Sequence, residues 1–502
     1  MEKQEQQPQE SFARRHQHSV ESIVTLLEWL LVAFILALLF QCFAMQAFQI
    51  PTGSMAETLR GDHYRVRCLR CGHAFDVGYD AVSYSRPQCP NCDFIVPVHA
   101  LGRVTNGDRI FVLKSIYQFF EPQRWDVVVF KNPTNPLDNY IKRLIGLPGE
   151  TVKLVNGDVY INDKIARKPL NVQKELWMPI YLQDQQPLES AAYFNELIEQ
   201  GEDTQNLPWN RHFVNEPNSS AWDVSNHTVF TLNDTSQQRH ALIYTSSNPN
   251  DFRACYAYNE SSGYPFRPTV SDLMVNFYVA CQSPKGVIGA TLEKYGVLYT
   301  GRVDFDGTMT LEKTVNGLTT QLRPSLMSGK AGQDQLHKFE FANVDQQLVL
   351  RWDDVRFTYD LSNDPDLKPS SGHYEKAPEV QLFAAGSASL RHINLYRDIF
   401  YLGEETGALR ATDDVPFTLN PDEFFVCGDN TNNSLDSRLW SENGMGNNGD
   451  SFRIGTVPRK YMMGKAVMVY WSQAYPPADR MPGMIPNLNN LKVIFGGSQT
   501  EY

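Results

Sequence analysis

From Trp29 to Phe48 the chain runs apolar, broken only by Gln41 and Gln46, and a run of that length limits how the N-terminal part can fold. A helix needs about 20 such residues to cross the hydrocarbon of a bilayer. The segment therefore predicts a transmembrane helix over residues 21–48, with Glu21 and Glu28 at its polar edge. A cleaved secretory signal peptide is the competing reading. The stretch exceeds the usual apolar region of such a peptide. Cleavage after Ala44 or Ala47 would also leave Pro51-Thr52-Gly53-Ser54-Met55 at a bare N-terminus. Lys3, Arg14 and Arg15 precede the span and Arg60, Arg65 and Arg67 follow it, so the positive-inside count does not orient it.

Residues 1–20 are polar and Gln-rich, which predicts a disordered tail. Beyond the apolar segment the chain reads as β-structure. Arg109–Leu113 and Asp126–Phe130 are short β-branched or aromatic runs, and Asn156-Gly157 between Thr151–Val155 and Val159–Ile161 signals a hairpin. A long interruption over 171–413 carries strand-like runs such as Val297–Tyr299, Lys338–Phe341, Gln347–Trp352 and Ile393–Tyr396. Turn signals at Asp306-Gly307 and Asn316-Gly317 separate them, a spacing that predicts an inserted antiparallel β-sandwich, similar to the concanavalin-like jelly rolls. The expected fold class is thus mainly β. The tail over 473–502 is Pro- and Asn-rich. A formal net charge of −12 argues against a nucleic-acid partner.

Three short motifs carry chemistry. Ser54, alone, reads as an ordinary turn serine; as a nucleophile it needs a base within hydrogen-bond reach. Lys142, in Tyr140-Ile141-Lys142-Arg143, is a candidate base because burial in an apolar wall lowers a lysine's pKa. Strand alternation puts Lys142 and Tyr140 on one face and Ile141 and Arg143 on the other. Gly146-Leu147-Pro148-Gly149-Glu150 follows, and later comes Gly428-Asp429-Asn430-Thr431-Asn432-Asn433-Ser434-Leu435-Asp436-Ser437-Arg438. Calcium binding is the other reading of that loop, but it lacks EF-hand spacing.

In this order, after an apolar anchor, the motifs resemble the type I signal peptidases, membrane-bound Ser/Lys proteases. The resemblance covers about residues 28–67, 104–169 and 414–472. It implies Ser54 as nucleophile, Lys142 as general base, and Thr52 with the Ser54 N–H as oxyanion hole. It further implies Ser434 as the residue orienting the lysine, Asp436 and Arg438 as a supporting ion pair, and Asp429 as an acidic residue holding the loop. Catalysis would need no cofactor. The implied partners are secretory precursor proteins, cleaved after a small residue in Ala-x-Ala, and the lipid bilayer near the secretion translocon. The implied location is the cell (inner) membrane, single-pass, with a cytoplasmic N-terminus and the catalytic domain on the far side. Glu57 and Trp125 depart from the pattern, standing where proline and glycine are usual.

Cys68-x2-Cys71 and Cys89-x2-Cys92, seventeen residues apart, have zinc-ribbon spacing. A structural zinc site over 68–98 is one reading and two disulfides are another. The expected order is then anchor over 21–48, catalytic parts over 49–67, 99–170 and 414–472, and the two inserts between them. The sandwich is expected to need no residue of its own in the site. The alternatives are a membrane-tethered lectin-like binding protein with a zinc ribbon, and a soluble self-cleaving Ser/Lys repressor protease. The latter would carry a DNA-binding helix-turn-helix, which is not seen.

Overall fold

The computed structural model describes residues 23–36, 44–80, 87–92, 94–98, 101–185, 213–217, 220–234, 236–245, 251–259, 267–329, 332, 335–369, 374–403, 407–446, 449, 451–473 and 487–497. The expected tail over 1–20 and most of that over 473–502 lie outside them. The fold is mainly β.

A helix occupies residues 23–36, with Ile23, Leu26, Leu27, Trp29, Leu30, Leu31, Phe34 and Leu36 all exposed. Among the described residues no helix is long and apolar enough to cross a membrane. The expected helical span to residue 48 needs correction at its C-terminal end. Met45–Gln49 is a strand, paired antiparallel with Arg109–Leu113 in the register Met45↔Leu113 to Gln49↔Arg109. Pro51 drives Ile50 to an extended backbone, and the Ile50 N–H donates to Asp108 O at 2.9 Å. Pairing along a sheet edge thus overrides the apolar run's helical reading.

This strand begins an eight-stranded antiparallel sheet. Next come Arg109–Leu113, Met462–Trp471, Val127–Lys131, Asn139–Gly146, Glu423–Cys427 and Val457–Pro458, with Lys492–Val493 beside Met462–Trp471. Both faces of its centre are covered. Val127 and Val129 pack with Ile50, Met55, Leu59, Ile110 and Val112, while Val128 and Phe130 pack with Leu144, Phe424, Val426 and Trp440. A strand buried on both faces has no polar side, which explains the unbroken Val127–Phe130 run.

Asn156 and Gly157 have φ of 52° and 89° and close the hairpin between Thr151–Val155 and Asp158–Ile161. Two left-handed central residues match a primed hairpin turn, where Asn-Gly is favoured. Gly149 has φ 78°, and the Glu150 carboxylate turns back to the Leu147 N–H at 2.7 Å and to Arg124 at 2.9 and 2.6 Å. Trp125 has φ 73° and is buried, the left-handed conformation that glycine adopts freely.

Residues 178–397 contain two further eight-stranded antiparallel sheets. One holds Leu273–Cys281 between Ala388–Arg397 and Leu336–Val344, and the other holds Val287–Lys294 between Val380–Ala385 and Val297–Asp304. Their inner faces share one core, in which Phe277, Phe339, Phe341 and Trp352 from the first sheet meet Tyr299, Leu292, Leu311 and Leu382 from the second. The ends of the expected insert lie elsewhere. Val172 and Leu176 at its start, and Ile399, Tyr401 and Ala411 at its end, pack with Val152, Leu154 and Phe417 around the hairpin. Across that seam Lys168 pairs with Asp345 at 2.5 Å and Asp398 at 2.8 Å, all three buried.

His63–Arg67, Ala74–Gly78 and Val104–Thr105 form a three-stranded sheet that carries the paired cysteines. The first cysteine turn is closed by Cys68 N to His73 O at 2.8 Å and Gly72 N to Cys68 O at 2.9 Å, with Gly72 at φ 71°.

Candidate active site

Ser54 sits on the tight turn that follows the Met45–Gln49 strand. The turn is closed by Ala56 N to Gly53 O at 3.0 Å and Leu59 N to Met55 O at 2.8 Å, and Met55, Ala56 and Leu59 are fully buried beneath it. Gly107 is required here: a Cβ on it would lie 1.8 Å from Ile50 O.

Lys142 lies in the Asn139–Gly146 strand, opposite Val128. Its Nζ donates to Ser54 Oγ at 2.6 Å across 88 residues of sequence. The side chain is only 4 % exposed. Burial brings its pKa down from 10.5 to about 8, against the opposing pull of Asp436 and with the help of Arg438. A lysine so placed is neutral in a large fraction just above neutral pH and can take the proton of an adjacent hydroxyl. Its ammonium lies 5.6 Å from the centre of the Tyr140 ring.

The loop after Glu423–Cys427 supports the pair from beneath. Asp436 receives Arg438 at 2.9 and 2.7 Å and the Gly428 N–H at 2.9 Å, all buried. Burial would raise the Asp436 pKa, yet the Arg438 charge and these hydrogen bonds hold it below the usual carboxylate range. Asp429 receives Arg143 Nε at 2.8 Å and Nη2 at 2.7 Å, with both side chains fully buried. The loop also meets the Ser54 turn directly, through Asn430 N to Ser54 O at 3.1 Å and Asn430 Nδ2 to Gly53 O at 2.8 Å.

Ser434 and Thr52 complete the implied site. Ser434 Oγ is buried and makes no hydrogen bond to Lys142; it faces Asp436, whose carboxylate it helps to hold charged. It lies over Gly428, where a Cβ would come within 2.2 Å of it. Thr52 is exposed on the nucleophile turn.

The sequence reading missed Arg143, Asn430, Tyr256, Tyr258 and Asn259. Arg143 is fully buried on the opposite face of the strand from Lys142, and its position beside the base was the available signal. The last three belong to the sandwich segment and correct the expectation that it lends nothing to the site. Tyr256 OH donates to Asp429 O at 3.2 Å, Tyr258 OH donates to Asp62 O at 3.1 Å, and Asn259 bonds Asn430.

The four cysteine sulfurs lie within 4.8 Å of one another and are buried. Cys68 and Cys92 are 3.5 Å apart and Cys71 and Cys89 3.6 Å. A disulfide needs about 2.05 Å, whereas four bonds of about 2.3 Å to one tetrahedral zinc place sulfurs somewhat under 4 Å apart. The set fits a closed four-thiolate site.

The family described as signal peptidase, peptidase S26, matches residues 96–238 and 391–471, which include Lys142, Asp429, Ser434, Asp436 and Arg438 and leave Ser54 outside. A signal peptidase I of Rickettsia canadensis (strain McKiel) is 37% identical over 139 residues, 27% of this chain and 43% of that protein. One of Rickettsia prowazekii (strain Madrid E) is 35% identical over 129 residues, 26% of this chain and 39% of that protein. The chain thus spans under half the length of these relatives. Among solved structures, a carbohydrate binding module CBM66 from Bacillus subtilis aligns over 36% of this chain and 97% of its own, at 9% identity and TM-score 0.23. Over the matched segments, which contain the buried lysine and both supporting ion pairs, the chain is similar to the signal peptidases of the S26 peptidase family.

Proposed function

We propose that the protein is a membrane-anchored type I signal peptidase that cleaves secretory precursors after a small residue, in Ala-x-Ala, with Ser54 and Lys142 as a catalytic dyad. The observation that carries the reading is the 2.6 Å contact between Ser54 Oγ and a lysine that is 4 % exposed. Neutral Lys142 takes the Ser54 proton as Oγ bonds to the scissile carbonyl carbon. The oxyanion is met by the Ser54 N–H and the Thr52 hydroxyl. Collapse breaks the C–N bond, and the Lys142 ammonium returns its proton to the leaving amine. A water, deprotonated by Lys142, then releases the acyl chain from Ser54. Asp429 and Asp436 hold the loop that carries Ser434, the residue proposed to orient the lysine.

The helix over 23–36 supports an anchoring role, since apolar side chains exposed all round a helix call for a lipid environment. The N-terminus is then cytoplasmic and the catalytic sheet lies on the far side, near the translocon. The four cysteines hold one structural zinc and take no part in the chemistry. The test is incubation of the detergent-solubilised full chain with a secretory precursor. Wild type should release the mature protein, while Ser54→Ala and Lys142→Ala should not; processing by Lys142→Ala would refute the dyad.

A further inference from the structure

The segment 251–259 leaves the sandwich between His240–Tyr244 and Leu273–Cys281 and lies against the nucleophile turn. Its side chains are buried: Tyr256 and Tyr258 are 3 % exposed and Asn259 7 %. The Tyr258 ring covers Gly53, where a Cβ would come within 2.2 Å of it, and Tyr258 O accepts the Gly78 N–H at 2.9 Å. Asn432 Nδ2 donates to Ala254 O at 3.1 Å. The arm is therefore fixed at both of its ends to the catalytic unit.

Asn259 and Asn430 form a reciprocal amide pair. Asn259 Nδ2 donates to Asn430 Oδ1 at 2.5 Å, and Asn430 Nδ2 donates to Asn259 Oδ1 at 2.7 Å. The second hydrogen of Asn430 Nδ2 goes to Gly53 O at 2.8 Å. A side-chain amide offers two donors on one end and an acceptor on the other. Gly53 O selects the Nδ2 end of Asn430, and the two bonds to Asn259 hold the Asn430 amide in the plane that keeps Nδ2 on it. A turned-over Asn430 amide would set one oxygen against another at Gly53 O.

The Gly53 carbonyl shares a rigid peptide plane with the Ser54 N–H, and in a trans peptide the two point opposite ways. Holding Gly53 O toward Asn430 aims the Ser54 N–H away from it. Asn430 N grips Ser54 O at 3.1 Å on the next plane, so one residue holds the backbone on both sides of the serine, together with the Ala56 N–H on Gly53 O at 3.0 Å.

We propose that Asn259, carried by the sandwich insert, is a positioning residue for the oxyanion-binding N–H of Ser54, acting through Asn430. The inference rests on the peptidase reading of Ser54. It makes the insert part of the catalytic apparatus rather than an appendage, because the orientation of the oxyanion donor depends on a side chain that only the docked insert supplies.

The test uses the full-length chain in detergent, with Asn259→Ala, Asn259→Ser, Asn430→Ala and the Asn259→Ala/Asn430→Ala double variant. An Ala-x-Ala peptide substrate gives kcat and KM. Two probes separate ground state from transition state: a peptide boronic acid, which forms a tetrahedral adduct on Ser54, and the same peptide with its scissile carbonyl reduced to methylene. Loss of a whole oxyanion donor costs about 10²–10³ in kcat, and a loosened donor should cost about a tenfold part of that. Asn259→Ala should lower kcat by that factor with KM within twofold. Boronate affinity should fall in parallel, with affinity for the reduced peptide and the midpoint of the pH profile unchanged. The double variant should be no slower than Asn430→Ala. Wild-type kcat in Asn259→Ala or Asn259→Ser would overturn the proposal. So would an equal loss of affinity for both probes, or additive effects in the double variant. Ser54→Ala run alongside separates the two levels. If it still cleaves, the peptidase reading fails; if it is dead while the Asn259 variants match wild type, only this inference fails.

Discussion

Replacing Lys142 by methionine should abolish cleavage and make the protein more stable at neutral pH. Burial lowers the Lys142 pKa from 10.5 to about 8, so below pH 8 the folded chain carries a charge that the unfolded chain carries more easily. At about 1.4 kcal/mol per pH unit, the gap amounts to about 3 kcal/mol against folding. The sign follows from proton counts. Between pH 8 and 10.5 the unfolded chain binds the proton that the folded chain has lost, so wild-type stability rises with pH through that window. Below it both forms are charged and the whole cost is present. Methionine fills a similar volume without charge, and removes a hydrogen bond to Ser54 worth about 1 kcal/mol. The expected net gain is about 2 kcal/mol at pH 6–7, shrinking to nothing or reversing near pH 10.5. Reversible denaturant unfolding of wild type, Lys142→Met and Ser54→Ala at several pH values measures it. A Lys142→Met variant no more stable than wild type at pH 6.5, or one whose gain persists at pH 10.5, would refute the claim that burial depresses the lysine's pKa.

Cleavage of an Ala-x-Ala peptide should rise with pH along one limb with its midpoint near 8, set by Lys142 losing its proton, and the limb should survive replacement of His63 or His73. Thr52→Val should lower kcat by about 10²–10³ at unchanged KM, as for one oxyanion donor, in steady-state assays. Asp429→Ala removes two hydrogen bonds from the fully buried Arg143, leaving it Glu175 at 3.7 Å, and should cost about 3 kcal/mol in denaturant unfolding; Asp436→Ala, which leaves Arg438 backbone carbonyls alone, should cost about 3–5 kcal/mol. Elemental analysis should find one zinc per chain, falling with Cys68→Ser or Cys89→Ser, and two disulfides by mass mapping would refute that.

What could be read in the sequence was what chemistry places close together along the chain. Asp436 and Arg438 are two residues apart and pair as the loop pattern suggested, and Asn156-Gly157 adopts the turn its residue types favour. The four cysteines met at their expected spacing because a metal-type knuckle is a local structure. Arg143 and Asp429, 286 residues apart, could not be paired in the same way. Alternation rightly put Lys142 and Arg143 on opposite faces, but it gave no sign that both faces are covered, which is what buries both side chains. The strand at Met45–Gln49 was hidden inside an apolar run, because hydropathy cannot tell a sheet edge beside Arg109–Leu113 from the end of a helix.

The insert shows most clearly how sequence continuity can mislead. Its strands do bury a core of their own, and from that it seemed to follow that the site was independent of it. The seam says otherwise. Lys168 from the catalytic side shares Asp345 and Asp398 in a dry cluster, and Gln173 Nε2 donates to Asp398 at 2.7 Å, so the docked position is held by buried charge rather than by a loose tether. Breaking such pairs leaves carboxylates without partners, a cost of several kcal/mol that keeps the two units in register. At the other end of the same contact, Tyr256, Tyr258 and Asn259 reach Asp429, Gly53 and Asn430. A catalytic sheet with a short loop in place of 171–413 would expose Gly53 and leave Asn430 without its amide partner. Such a variant, even when folded, should therefore cleave the small peptide poorly, with the loss in kcat. Wild-type turnover from it would show that Asn430 and the buried ion pairs hold the serine unaided.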